Sequence, residues 1–532
     1  MADFEGFYDT ETTGADPTFD QVLQMAAILT DDDFAEIESF DERSRLARWM
    51  VPTPGALKVT HLDPFTIARA PRSAFEFARH MHATFTNWAS RGSIAFSGWN
   101  TLKFDEEIVR RMFYMNLLDP YVTSGKGKSR VDYLLMTRAL AARNPEILVI
   151  PTREDTGKPN FKLENIATAN GFSDHNAHDA LGDVRATIHM ARFIRDTDES
   201  LFHHVRAMGV ANDAMSFVED ERIFRMIGGQ MIEPGILDVC LIATDPTNPK
   251  SKKAWNLAID PTPFLDMSTD EILAAMKKGG TPFRSVKCHK SPLVFPIGWE
   301  FLRHAAKTEA PTKDEIDARS KLVLEHTEFR HRVAEAMRLQ TEGYEPNQHL
   351  EEKIYDGFPS WADKDAMKGF HNAASWERRL TIARAFEKTE LQQIGVRLVW
   401  ANAPECLSEQ HRTLIDNHVG TTRFGLLTGQ PWTTVGSFME ELDEWDAKEP
   451  GDPELATIRA WALETFPEAA NWVPKPKDAE VEDSDLPEPG KDDPVAPVDV
   501  AVDTAAAPTE TVAVTPARIA PGPAPHFLDG ID

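Results

Sequence analysis

Five side chains hold the reactive potential of this sequence: Asp9 and Glu11 in FYDTETTG, Asp105 in WNTLKFDEE, and His178 and Asp183 in NAHDALGD. Carboxylates are the donors that hard divalent cations such as Mg2+ and Mn2+ prefer. A histidine with an unperturbed pKa of about 6.5 exchanges protons near neutrality. Four acids and one histidine therefore have the composition of a metal-dependent hydrolytic site. Each also has an ordinary explanation. DTETTG reads equally as a strand entering a polar turn at Gly14, and Asp105 as an acid favoured by a helix N-terminus.

The elements that position these groups are legible in the patterning. GFYD is a short apolar strand, and side chains alternate faces along a strand, so Asp9 and Glu11 project the same way. Residues 94–100, IAFSGWN, form a buried strand. The following FDEEIVRRMFY has apolar residues at Phe104, Ile108, Met112 and Phe113, the spacing of a helix with Asp105 in its first turn. Glu106 and Glu107 are expected only to complement that helix dipole. Residues 176–195 form the next long helix, capped by Asn176, with Ala180, Leu181, Val184, Ile188 and Ala191 as its apolar stripe. Five helical residues turn roughly 140° beyond a full circle, so His178 and Asp183 do not share a stripe. The histidine reaches the site from a loop or first turn, the aspartate from inside the helix. Neighbouring His175 and Asp179 are expected to face solvent.

The ordered set D-x-E, Asp105, then H-x-x-x-x-D resembles the DEDDh branch of the DnaQ-like 3′→5′ exonuclease superfamily. A sister branch has tyrosine four residues before the last aspartate, where this chain has Asp179. FYDTETTG, PGALKVTHLDP, SGWNTLKFDEEIVRRMFY, NFKLENIATANG and SDHNAHDALGDVRATI are similar to stretches of the bacterial exonuclease I family. VKCHKSPLVFP, IYDGFPSWADKDAM and VWANAPECLSEQHR extend the similarity over roughly residues 4 to 470.

That resemblance implies an α/β fold: an RNase H-like, DnaQ-like exonuclease domain with a mixed sheet, then a β-rich SH3-like domain and a helical C-terminal domain. It also implies processive removal of 5′-mononucleotides from the 3′ end of single-stranded DNA, in repair and recombination. The chemistry would be two-metal-ion hydrolysis, with two Mg2+ (or Mn2+) about 3.5–4 Å apart. By the same resemblance Asp9 bridges both metals, Glu11 and Asp183 complete the site of the nucleophilic water, Asp105 helps hold the second metal, and His178 deprotonates or orients the water. Thr12 and Thr13 would pass near the terminal nucleotide. The C-terminal tail of single-stranded-DNA-binding protein is the implied protein partner. Two other readings use the same residues: an RNA-trimming or proofreading exonuclease, and a non-catalytic DNA-binding or partner-recruiting module.

A net charge of −28 stands against a phosphate-rich substrate. Residues 478–532 carry 13 acids against Lys491 and Arg518, a net −11, which leaves −17 for the other 477 residues. DNA binding then requires a basic track on one face, which global charge does not report. Lys250, Lys252 and Lys253 precede Trp255, and Lys277, Lys278, Arg284, Lys287 and Lys290 surround Phe283, so cations interleave with rings on which bases stack. A solvated loop is the plainer reading of each lysine. Arg130 in KSRVDYL and Lys162 in FKLEN are further candidates for holding phosphate.

Cys240, Cys288 and Cys406 are widely spaced, which fits a reduced compartment and argues against structural zinc. MADFEGFYD is too acidic for a signal peptide, and no run of about 18 apolar residues occurs, so a cytoplasmic protein, and a monomer, is expected. The expected organisation is an exonuclease domain at 1–198, an SH3-like domain with helical extension at 199–350, a helical domain at 351–473 and a tail at 474–532. In the middle part ILDVCLIAT, AWNLAID and SPLVFPI read as strands, followed by one helix through KLVLEHTEFRHRVAEAMRL. SWERRLTIARAFEKTEL and PELATIRAWALETF read as helices. The tail is Pro, Ala, Val and acid without periodicity, a composition that reads as disordered. Its PHFLDGID places Phe527, Leu528 and Ile531 among acids, so it is read as an inert solubilising tail or as a competitor for the partner-tail pocket.

Overall fold

The computed structural model describes residues 3–173, 180–228, 235–278, 282–301, 310–342 and 347–473. His178, the Asn176 cap, the decoys His175 and Asp179, and the tail 474–532 lie outside them. Two five-stranded sheets organise the described residues. The first contains β1 (Phe4–Thr12), β2 (Val22–Asp31), β3 (Glu36–Arg43), β4 (Ile94–Gly98) and β5 (Lys128–Asp132), in the order β3-β2-β1-β4-β5. β1 pairs antiparallel with β2 and parallel with β4, and β4 pairs parallel with β5, so the sheet is mixed.

Its apolar strands need cover on both faces. Phe7, Ala26 and Ile28 pack on one side with Tyr133, Met136 and Leu140 of the helix Tyr133–Arg143 and with Val184, Ile188 and Ala191 of the helix Ala180–Thr197. Tyr8, Met25, Ala27 and Leu29 pack on the other with Phe77, Met81, Phe85 and Trp88 of the helix Ala74–Ser90, and with Ile108, Val109 and Phe113 of the helix Asp105–Tyr114. Ser73 and Glu76 start the helix Ala74–Ser90 with a capping box, each side chain taking a backbone N–H. Gly98 ends β4 where a side chain does not fit, since a Cβ there would lie 2.7 Å from the Tyr8 carbonyl oxygen.

The second sheet is antiparallel throughout: β6 (Ile223–Ile227), β7 (Ile236–Thr244), β8 (Ser251–Asn256), β9 (Phe283–Lys287) and β10 (Val294–Pro296), in the order β10-β6-β7-β8-β9. Two helices, Glu199–Met208 and Ala211–Glu221, precede it. The first is tied to β1 through buried Glu5, which pairs with Arg206 and accepts from Tyr133 Oη at 2.9 Å.

Two expected continuous helices are broken. The one through KLVLEHTEFRHRVAEAMRL is Lys313–Glu325 and Thr327–Glu342, because His326 leaves helical geometry and its Nδ1 accepts the Phe329 amide at 3.1 Å. SWERRLTIARAFEKTEL divides into Trp376–Ala383 and Thr389–Asn402. There Asp363 accepts the Glu387 and Lys388 amides at 2.7 and 3.3 Å and draws the connection onto the helix Trp361–Asn372.

The C-terminal helices share cores with the first sheet's surroundings. Phe370, Ile394 and Trp400 pack with Trp49, Phe75, Tyr114 and Leu117. Val435, Phe438, Leu442 and Trp461 pack with Leu23, Val51, Leu57 and Ile67. Glu351 is buried between Arg397 and Arg423, 3.0 Å from each. No described helix is long and apolar enough to cross a membrane.

Candidate active site

The parallel pairing of β1 with β4 runs from Phe4 opposite Ile94 to Phe7 opposite Ser97 and stops there. Asp9 and Glu11 thus lie on the part of β1 that extends beyond this pairing, at the carboxyl ends of the parallel strands, where open α/β sheets bind ligands. They stay paired only to β2, Asp9 opposite Ala26 and Glu11 opposite Gln24, and the register slips between Glu11 and Thr12. Beyond that slip only Thr12 still pairs, with Val22, before the chain turns at Gly14. Thr12 donates to the Gly14 carbonyl at 2.7 Å and Thr13 to Asp20 at 2.8 Å, so both hydroxyls are buried in holding the loop, whose backbone is the part expected near the terminal nucleotide. A Cβ at Gly14 would come within 2.5 Å of the Asp20 carboxylate and displace it from Thr13.

Asp9, Glu11 and Asp183, all half-buried, bring ligand oxygens within 4.8 Å of one another. Asp183 comes from the first turn of the helix Ala180–Thr197. Asp105 is the first residue of its own helix, buried, and accepts from Thr10 Oγ1 at 2.6 Å. It stands outside the three-residue group yet close enough to act on Asp9: burial, then the charges of Asp105, Glu11 and Asp183, hold the Asp9 carboxyl well above the usual range. Burial likewise pushes Asp105 up to about 7 against the opposing Thr10 hydrogen bond. The all-oxygen donor set suits a hard divalent cation, and such a cation relieves the repulsion among the four carboxyls.

A pH dependence follows. Asp105 carries a raised pKa, so its contribution to stability without metal is full below its ordinary value of 3.8 and is lost as pH rises through about 7. Metal binding must displace these protons. Calorimetric Mn2+ affinity should therefore increase as pH rises through about 7, with proton release; an affinity flat across that range would contradict the assignment.

Asp9 and Asp183 line a cleft of about 400 Å³ whose other walls include Trp99, Asn100, Arg138, Arg153, Phe161 and Lys162. Trp99 Nε1 donates to the Phe161 carbonyl at 3.2 Å, and the Arg138 guanidinium lies 5.6 Å from the Phe161 ring centre. Burial lowers the Arg138 pKa. Of these, only Lys162 stands among the expected site residues; its ammonium is largely exposed, 3.6 Å from Glu164. Arg138 has a readable signal: it is four residues after Leu134, another cleft residue, on one helical stripe. Asp132 is a further supporting group. It is buried at the end of β5 and accepts the amides of Asn100, Leu102, Leu134 and Leu135 at 3.0–3.4 Å, fixing the loop that leads to Asp105.

Several expected DNA contacts are occupied within the protein. Arg130 lies 3.2 Å from Glu106 and donates to the His289 carbonyl, joining the two sheets. Lys252 is fully buried and pairs with Glu219, and Lys253 is buried with Nζ donating to Ser285 Oγ at 2.8 Å. Trp255 is wholly buried, its Nε1 bonded to the Ile259 carbonyl, so its ring offers no face to a base. β8 is a central strand between β7 and β9 and is buried on both faces, so neither Lys252 nor Lys253 on its opposite sides reaches solvent, and the helix Thr327–Glu342 covers Trp255 through Phe329. Lys287 and Lys290 are exposed, and Lys290 lies 3.5 Å from Glu107. Glu106 and Glu107 do more than complement a dipole. Glu106 is buried among Arg110, Arg130, Tyr8 and Thr123, and Glu107 binds Tyr355.

The RNase_T exonuclease family model matches residues 7–191, which contain all five candidate catalytic residues. The exodeoxyribonuclease I of Haemophilus influenzae is 30% identical over 392 residues, 69% of this chain and 80% of the relative. The chain belongs to the exodeoxyribonuclease I family. It is accordingly an exonuclease, a hydrolase of phosphodiester bonds. The Escherichia coli exodeoxyribonuclease I is 29% identical over 378 residues, 68% of this chain and 78% of its own. A crystal structure of E. coli exonuclease I with a dA16 oligonucleotide superposes with a TM-score of 0.75 at 24% identity, over 87% of this chain and all of that one. The likeness in fold therefore reaches well past the nuclease sheet.

Proposed function

We propose that this exonuclease degrades single-stranded DNA from its 3′ end and releases 5′-mononucleotides. The carrying observation is the Asp9–Glu11–Asp183 group, with oxygens within 4.8 Å, facing a cleft that also contains Arg138, Arg153 and Lys162. Asp9, Glu11, Asp105 and Asp183 are the residues that would hold two Mg2+ or Mn2+. Bound there, such cations acidify water and offset charge on phosphoryl oxygens. Lys162, Arg138 and Arg153, which line the same cleft, would bind phosphate, and Trp99 and Phe161 would orient the terminal nucleotide against apolar surface. His178 would take the proton of the attacking water.

The reading includes processive action in DNA repair, in the cytoplasm, by a monomer whose parts are the exonuclease domain 1–198, the SH3-like domain 199–350 and the helical domain 351–473. The acidic C-terminal tail of single-stranded-DNA-binding protein is its proposed partner. A matched set of 3′- and 5′-labelled single-stranded, double-stranded and RNA oligonucleotides, with Mg2+ or EDTA, tests it. Mononucleotides released first from the 3′ label of single-stranded DNA, and only with metal, are expected. Release from the 5′ label, preference for RNA, or full activity in EDTA would refute it.

A further inference from the structure

Glu11 is two residues from Thr13, and Thr13 is tied on every side to the segment that returns from the turn. Its amide donates to the Gln21 carbonyl and its Oγ1 accepts the Gln21 amide, both at 2.9 Å, while its hydroxyl donates to Asp20 at 2.8 Å. Asp20 also accepts the Asp16 amide at 2.8 Å, which closes the turn on itself. The chain that carries Glu11 is therefore only as fixed as Phe19, Asp20 and Gln21 are. Gln21 is anchored within the nuclease domain, its Oε1 accepting the Ala47 amide at 2.8 Å.

Phe19 is anchored from far along the sequence. Its buried ring packs edge-on against His349 and Trp432, with ring centres 5.7 Å away in each case, and those two rings meet perpendicularly at 5.0 Å. Edge-to-face pairs at such distances are the favoured aromatic geometry. Trp432 is itself held: its Nε1 donates to the Thr422 carbonyl at 2.7 Å, and the Arg423 guanidinium, paired with Glu351, lies 4.5 Å from its ring centre. The surrounding packing is loose. A cavity of about 60 Å³ lies against Thr18, Phe19, Asp20 and Gln21, and one of about 100 Å³ against His349 and Trp432. Side chains beside a void lose contacts on that side, so the ring contacts carry more of the restraint.

We propose that Phe19, His349 and Trp432 are positioning residues for Glu11: the C-terminal part of the chain clamps the turn after β1 and thereby sets where the Glu11 carboxylate stands relative to Asp9 and Asp183. The inference rests on the reading of Glu11 as a metal ligand and adds what holds that ligand in place.

The test compares wild type, Trp432→Ala, Trp432→Phe and Phe19→Leu in the full chain, with kcat and KM on a single-stranded oligonucleotide and Mn2+ affinity by calorimetry without DNA. Trp432→Ala and Phe19→Leu should lower kcat roughly ten- to hundredfold, the effect of an ångström-scale displacement, with KM within about twofold of wild type. Mn2+ affinity should fall in parallel, and Trp432→Phe, which keeps a ring for Phe19, should stay near wild type. On a Glu11→Gln background, Trp432→Ala should weaken Mn2+ no further, because its effect runs through that carboxylate. Unchanged kcat and Mn2+ affinity in folded Trp432→Ala would overturn the clamp, and so would an additive loss on the Glu11→Gln background or a raised KM with kcat kept. Should Trp432→Ala fail to fold, the same comparisons on Phe19→Leu decide. A wild type that binds Mn2+ but releases no nucleotide defeats the nuclease reading, while the calorimetry still decides the clamp.

Discussion

Exchanging Asp9 for asparagine should lower nucleotide release by at least roughly a thousandfold, equivalent to about 4 kcal/mol of lost transition-state stabilisation. Asp9 is the carboxyl on which the others converge, since Asp105, Glu11 and Asp183 all act on it. Removing its charge subtracts a ligand from the group while leaving volume and strand pairing with Ala26 in place. Folding should therefore survive, and circular dichroism should match wild type. His178→Ala offers the contrast: a slowing of about 10²–10⁴-fold, the usual worth of a proton-transferring group, with metal affinity and DNA binding kept. Wild-type turnover in purified Asp9→Asn would exclude it as a ligand. Loss of metal binding in His178→Ala would make the histidine a ligand instead of a base.

Glu351→Gln should destabilise the whole protein by about 3–5 kcal/mol, as measured by denaturant unfolding. Glu351 is buried, and burial alone would raise its pKa, but Arg397 and Arg423 outweigh it and bring it down to about 2. Glutamine cannot neutralise two buried guanidiniums, so each becomes an uncompensated charge. Arg423 already shows the strain of sharing. Burial and the nearby Arg397 hold it down to about 10 although Glu351 pulls the other way. A depressed carboxylate contributes stability that is complete above its ordinary value of 4.5 and is lost as pH falls toward about 2. Wild type should thus lose stability in that acid window, and Glu351→Gln should lose less. An unfolding midpoint unaffected by the substitution would show that water reaches the pair.

Much of the site was legible because local rules govern it. The two-residue period of β1 put Asp9 and Glu11 on one side, and the apolar stripe Val184, Ile188 and Ala191 placed Asp183 in a helix packed on the same sheet. What escaped depends on tertiary contact. The ring of Trp255 and the ammonium of Lys252 look, in one dimension, like a nucleic-acid surface, yet strand pairing and the covering helix turn them inward. Glu106 looks like a helix-start acid until Arg130 arrives from β5 to meet it. The break at His326 depends on a single side-chain acceptor, which competes with a helical pattern that otherwise runs on. Arg138 and Phe161 belong to the cleft only because separate segments converge there.

The two cores shared between the first sheet and the C-terminal helices bear on how this protein can come apart. Trp49, Leu57, Phe75 and Leu117 share their cores with residues more than two hundred positions downstream, so a ribosome must deliver nearly the entire folded body before those cores are complete. A fragment ending near residue 198 would contain every proposed ligand and still present two uncovered apolar surfaces. The surroundings of the first sheet are therefore completed only when the C-terminal helices close over those surfaces, and a nicked or unfinished chain exposes them to water.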